Sequence, residues 1–132
     1  MEIVVSQEQG RRPITVFQLR GEIDATTYEQ LEQRAREGFA AGMRDLLLDL
    51  TEVSYVSSAG IRALNVIFTL LRGDSPDESD EAMRTGLRDG TFKSHHLKLL
   101  NPSPNVAKAL RISGVDMFLE AHRNLKDAVA SF

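Results

Sequence analysis

Apolar positions along this chain recur in two periods, every second residue and every third or fourth, with turn-forming residues between the runs. Residues 2–7 and 14–20 carry the first period, and Gly10-Arg-Arg-Pro13 separates them, so the chain is expected to open on a β-hairpin. In the second strand Ile14, Val16 and Gln18 alternate with Thr15, Phe17 and Leu19, which predicts that both faces are at least partly covered. Tyr28, Leu31, Ala35 and Phe39 then follow helical spacing. Thr26-Thr-Tyr-Glu29 ahead of them matches an S/T-x-x-E capping box, and Gly42 is a suitable stop. Leu46–Leu50 is apolar apart from Asp49, as a central strand buried on both sides would be. Ile61, Leu64, Ile67, Phe68 and Leu71 form a second helical stripe. Leu97–Leu100 is a further short strand, and Asn101-Pro-Ser-Pro104 places Ser103 as N-cap and Pro104 at the first position of a helix that reaches Gly114. Val115–Glu120 reads as a last strand, and Leu125, Ala128, Val129 and Phe132 as a short terminal helix. The expectation is an α/β fold, with a mixed sheet of about four to five strands covered by about four helices. Leu31, Phe39, Leu64, Ile67, Phe68 and Leu110 should pack against that sheet.

One stretch, 72–93, breaks this rhythm. It has few apolar positions, and Asp74–Glu81 holds five acids and no base, which suits an inserted acidic surface loop. The rest suits a single domain over residues 1–132, a length that supports one real core and not two. Against 16 Lys and Arg stand 19 Asp and Glu, a net charge of -3, so the basic surplus that phosphate backbones require is missing. Nucleic acid is therefore not an expected partner. The absence of cysteine removes disulfides, thiolate metal sites and cysteine nucleophiles. The N-terminus lacks the pattern of a signal peptide and no apolar run approaches the roughly 20 residues of a membrane span, so a cytoplasmic address without membrane insertion is expected.

The chemistry centres on Val56-Ser-Ser-Ala-Gly60, at the junction of a strand and a helix. A serine there ordinarily serves as an N-cap. A hydrolase's nucleophile elbow would need glycine where Val56 stands, and also a histidine and an acid. His95, His96 and His122 carry no motif of that kind, and adjacent His95 and His96 make a poor chelating pair. Phosphate-binding glycine loops are absent too, so no catalytic residue, metal or cofactor is expected. A phospho-aspartate receiver built on Asp49 would want an acidic cluster after the first strand, and Ser6-Gln-Glu-Gln9 supplies one acid.

Leu48-Asp-Leu-Thr-Glu-Val-Ser-Tyr-Val-Ser-Ser-Ala-Gly60 resembles the signature of STAS domains, the family of anti-sigma-factor antagonists. Gly21-Glu-Ile-Asp-Ala-Thr-Thr27 looks like that family's second motif. Leu99-Leu-Asn-Pro-Ser-Pro-Asn-Val-Ala-Lys-Ala-Leu110 and Ile112-Ser-Gly-Val115 are similar to its later strand–helix segment. The resemblance spans nearly the whole chain outside 72–93. It implies a STAS-like fold and a partner switch rather than an enzyme. The unmodified protein would bind an anti-sigma factor that is also a serine kinase of the ATPase type. It would release that factor when phosphorylated, and a serine phosphatase would reset it. On this resemblance the phosphorylated serine falls on Ser58, and Asp24, Ser57, Ser58, Ala59 and Gly60 fall on the partner-binding surface. Ser57 stands where the family usually has an acid. The alternative within the same resemblance is an unphosphorylated STAS scaffold in a signalling or transporter complex, with Ser58 merely a helix cap.

Overall fold

The computed structural model describes residues 1–73 and 92–132, and the opening hairpin is present in it. Strand β1 (Glu2–Gln9) runs antiparallel to β2 (Pro13–Ile23), with Val5 opposite Phe17 and Gln7 opposite Thr15. Helix α1 (Tyr28–Ala40) leads to β3 (Leu46–Val56), and α2 (Ser58–Arg72) ends before the segment 74–91. After it come β4 (Leu97–Leu100), α3 (Pro104–Ser113), a 3-10 turn (Val115–Met117), β5 (Ala121–His122) and α4 (Leu125–Ala130). The five strands lie in chain order, β1-β2-β3-β4-β5, and every pairing after the hairpin is parallel. This is the mixed α/β sheet that the sequence predicts.

The alternation in β2 and β3 divides the interior in two. Phe17, Leu19, Leu46, Leu48 and Leu50 face the larger core with Leu31 and Ala35 of α1, Leu64, Ile67 and Phe68 of α2, and Val106 and Leu110 of α3. Ile14, Val16, Leu47 and Leu100 face a smaller core closed by Ala128 and Phe132. Beneath α4 the buried Lys98 donates from Nζ to the Ser131 carbonyl at 2.8 Å and pairs with Glu120 at 3.3 Å. An ammonium taken from water needs such partners; the Ser131 bond ties the end of the last helix to β4, and the Glu120 pair ties the approach to β5.

Several elements differ from the sequence reading. Strand β3 continues past Leu50 to Val56, with Val53 and Val56 buried at three-residue spacing and Thr51, Glu52, Ser54 and Tyr55 exposed, because β3 carries one extra residue at each of two irregularities in its pairing with β2. Its pairing with β2 shifts register twice, once beside Gly21, whose φ of +111° suits glycine. Val115–Glu120 is not a strand. Gly114 adopts a left-handed φ of +84°, and the chain then coils so that Val115 and Leu119 reach the core. The last strand is only Ala121–His122. Phe39 packs against the larger core but is only half-buried, its ring covered by the Arg44 guanidinium 3.9 Å from the ring centroid. Phe92, assigned to the acidic insertion, is buried and meets Phe68 edge-on at 5.9 Å. The acidic run itself falls within 74–91, outside the described residues.

Candidate functional site

The C-terminal ends of β2 and β3 meet where Ile23 is paired with Val56. There the Ser57 N–H donates to the Ile23 carbonyl at 2.9 Å, so the chain leaving β3 is pinned to the end of β2. Ser57 has extended backbone and is the N-cap of α2, its Oγ accepting from the Gly60 N–H at 3.3 Å. Its carbonyl accepts from Ile61 N. Ser58 is therefore the first helical residue rather than the cap, and its side chain is exposed. In such a first turn the N–H groups have no intrahelical acceptor. Ser57 engages that of Gly60, which leaves those of Ser58 and Ala59 facing the end of the helix.

Gly60 is buried at the closest approach of α2 to β2. A Cβ at this position would lie 2.5 Å from the Ile23 carbonyl oxygen and 2.8 Å from Val56 Cγ1. Glycine is thus required here by space, not by a left-handed φ. The small residue lets the helix start directly on the strand end and holds Ser58 at the rim.

Asp24 follows Ile23 and organises the neighbouring turn. Its Oδ1 accepts from the Thr26 hydroxyl at 2.7 Å and from the Thr26 N–H at 2.9 Å. These two hydrogen bonds, the hydroxyl's first, hold the Asp24 carboxyl below its ordinary pKa, against a smaller opposing effect of desolvation. The Thr27 hydroxyl donates to the Glu22 carbonyl at 2.7 Å and accepts from the Asp24 N–H at 2.9 Å. The expected capping box does not form. Helix α1 begins at Tyr28, Thr27 makes no side-chain cap bond, and Glu29 instead meets the Tyr28 hydroxyl at 3.0 Å. Asp-x-Thr is itself a side-chain turn pattern, and that competing local bond is what draws the threonine away from the helix.

The structure thus brings Asp24, Ser57, Ser58, Ala59 and Gly60 together at one end of the sheet, beyond the last residues of two adjacent interior strands. Sequence reasoning missed the Ile23 carbonyl, which organises both Ser57 and Gly60, since a backbone atom leaves no signature in residue types. The histidines are elsewhere. His96 precedes β4 at the opposite end of the strands, with Nδ1 3.0 Å from the Asp45 carboxylate. His122 lies on β5, 3.3 Å from Glu120. Among the described residues no histidine is hydrogen-bonded to Ser58, and no group of three or more His, Cys, Asp or Glu could hold a metal ion. None of the described helices is long and apolar enough to cross a membrane.

The serine thus sits at the first turn of the helix that follows the central strand of a mixed sheet with an opening hairpin. The model of the STAS domain matches residues 6–74, and the chain belongs to that family. A crystal structure of an anti-sigma factor antagonist from Mycobacterium paratuberculosis superposes with a TM-score of 0.66 over 98% of this chain and 93% of that one, at 20% identity. The Bacillus cell fate determinant SpoIIAA in its phosphorylated form gives a TM-score of 0.58 over 96% of each chain, also at 20% identity. At such identities the likeness is one of fold. Osmosensory protein A of Mycobacterium tuberculosis is 43% identical over 53 residues, which make up 40% of this chain and 33% of that protein.

Proposed function

We propose that this chain is a partner-switching regulator of the anti-sigma-factor-antagonist type, a single non-enzymatic domain acting in the cytoplasm. Unmodified, it binds an anti-sigma factor that is also a serine kinase of the ATPase type. Phosphorylation of Ser58 releases that partner, and a serine phosphatase restores the binding form. The observation that carries this reading is the exposed Ser58 on the first turn of α2, held there by the Ser57 cap and the Gly60–Ile23 contact. Membership of the STAS family and the fold shared with anti-sigma factor antagonists support it.

The physics of the site agrees with a switch. A phosphate adds about −1.5 to −2 charges and three acceptor oxygens. The free N–H groups of Ser58 and Ala59 and the positive end of the helix dipole can receive that anion within the monomer. A partner packed over Asp24, Ser57, Ala59 and Gly60 would meet the same charge without such donors. Each 1.4 kcal/mol of repulsion or desolvation weakens binding about tenfold, so a few kcal/mol separate the complex. The fold survives modification while the complex does not.

A second reading, an unphosphorylated STAS scaffold, is favoured by one feature. Ser57 replaces the acid expected beside the acceptor, and its hydroxyl is already engaged as a cap. Co-purification from the native cell, followed by phosphopeptide mass spectrometry, separates the two. A kinase-type partner released by ATP, with phosphate on Ser58, supports the switch. A stable complex that ATP leaves intact and unphosphorylated supports the scaffold.

A further inference from the structure

We propose that the cleft between the C-terminal half of α1 and the opening hairpin is a binding site for a small organic anion with an apolar body. It lies far from the serine. Arg12 and Asp45 sit beside the first residues of β2 and β3, whereas Ser58 follows the last. The 11 residues of β3 separate the two regions, roughly 33 Å at the usual rise of a strand.

The cleft has a volume of about 790 Å³. Small-molecule sites commonly fall between about 300 and 1,000 Å³. Its floor is part polar, where Gln7 donates to the Thr15 hydroxyl at 3.1 Å, and part apolar. Val5 and Phe17 are cross-strand partners and so share a face, and Met43 closes the floor from the α1–β3 connection. Helix α1 leaves this part of β1 uncovered, with Val5 39% exposed.

The rim carries Arg12, Arg34 and Arg44 against Glu37 and Asp45, a surplus of positive charge on a chain whose net charge is -3. The two acids are already engaged. Asp45 is buried, with its Oδ1 3.3 Å from an Arg12 guanidinium nitrogen and 3.0 Å from His96 Nδ1. That pair holds Arg12 in place instead of presenting a carboxylate to the cleft. Glu37 accepts from Gln33 Nε2 at 3.3 Å. Arg44 is fixed by donating to the Phe39 and Met43 carbonyls at 2.9 and 2.8 Å. Arg34 has no hydrogen bond or ion pair among the described residues, and it projects from α1 at the cleft. Two preset guanidiniums and one uncommitted one suit a carboxylate or phosphate, which the planar fork of arginine can hold with two bonds. The apolar part of the floor, Val5, Phe17 and Met43, beside that rim favours an anion that carries a hydrocarbon or ring.

The test is a titration of the full ¹⁵N-labelled chain with octanoate and with octyl phosphate, followed by amide shifts. Octanol supplies the tail alone and inorganic phosphate the head alone. At least one of the two amphipathic anions should shift Val5, Phe17, Ala41 and Gly42 and saturate with a Kd of about 1 mM or tighter. Which of them binds better assigns the headgroup. Arg34 is exposed, so Arg34→Ala should leave the spectrum folded and weaken binding about tenfold. Val5→Asp, which puts a carboxylate on the floor, should abolish it. Shifts confined to other surfaces, or no saturation by about 10 mM, would overturn the proposal, as that is weaker than a functional site would need. So would equal binding of octanol or of inorganic phosphate, or unchanged affinity in both variants.

Discussion

An alanine at position 60 tests how α2 is seated. Its Cβ would stand 2.5 Å from the Ile23 carbonyl oxygen, 2.8 Å from Val56 Cγ1 and 3.0 Å from Ile23 Cγ2, where ordinary contacts are 3.4–4 Å. The nearest atom is backbone of β2, and it also accepts the Ser57 N–H at 2.9 Å. It cannot swing aside without loosening that bond. Helix propensity alone favours alanine over glycine by about 1 kcal/mol. Overpacking costs about 1–3 kcal/mol, and a weakened hydrogen bond about 0.5–1.5 kcal/mol more. Sterics therefore prevail, and Gly60→Ala should lose about 1–3 kcal/mol. Urea unfolding followed by circular dichroism measures this as a lower midpoint with an unchanged slope. Adding Val56→Ala relieves only the second-nearest contact, so it should not restore the stability. A Gly60→Ala protein as stable as the parent would refute the description of α2 resting on Ile23.

Three further outcomes follow from the same geometry. Leu64→Ala, at a fully buried position in the larger core, should cost about 2–5 kcal/mol in the same unfolding assay, and a loss below about 0.5 kcal/mol would remove Leu64 from that core. Ser57→Ala should lose about 1 kcal/mol of stability with its cap yet still be phosphorylated, whereas Ser58→Ala should keep both its stability and its partner and become insensitive to ATP. Mass spectrometry that finds phosphate on Ser57 alone would reverse this assignment. Thr26→Val removes the hydroxyl that does most to lower the Asp24 pKa, so the carboxyl titration followed by NMR should move up toward the ordinary carboxylate range, and no movement would mean that the hydroxyl is not the cause. Because the folded pKa is the depressed one, Asp24's contribution to stability is present above the unfolded pKa and is lost as pH falls through the folded value, in the acid range only.

The positions whose environment is set by periodicity were legible without the structure. Leu31, Leu64, Ile67 and Leu110 are buried as their spacing requires, and Ser103 caps α3 in front of Pro104. Local competition was harder to read. Thr26 and Glu29 fit a capping box in sequence, but Asp24 offers Thr26 a shorter loop to close, and that bond wins. Val115–Glu120 has the composition of a strand, yet the left-handed Gly114 redirects it into a coil that buries the same apolar residues another way. At the site itself Ser58, Gly60 and Asp24 were picked out by the resemblance to the STAS signature. What joins them, the Ile23 carbonyl, was not. Arg12, Asp45 and His96 come from three separate parts of the chain, and only the tertiary fold gathers them.

Strand order that follows chain order also shapes how the sheet can assemble. Each parallel strand docks beside the one synthesised just before it, so no pairing has to wait for a distant segment to be threaded between two others. The hairpin, closed by the shortest connection, provides the template for growth in one direction. The connection from β3 to β4, residues 57–96, is close to twice as long as that from β2 to β3, residues 24–45. Loop closure grows only logarithmically, by about 0.6 kcal/mol per doubling. Lengthening that crossover therefore slows the arrival of β4 slightly without offering the chain a different topology, which makes it the cheapest place in this fold to carry extra sequence.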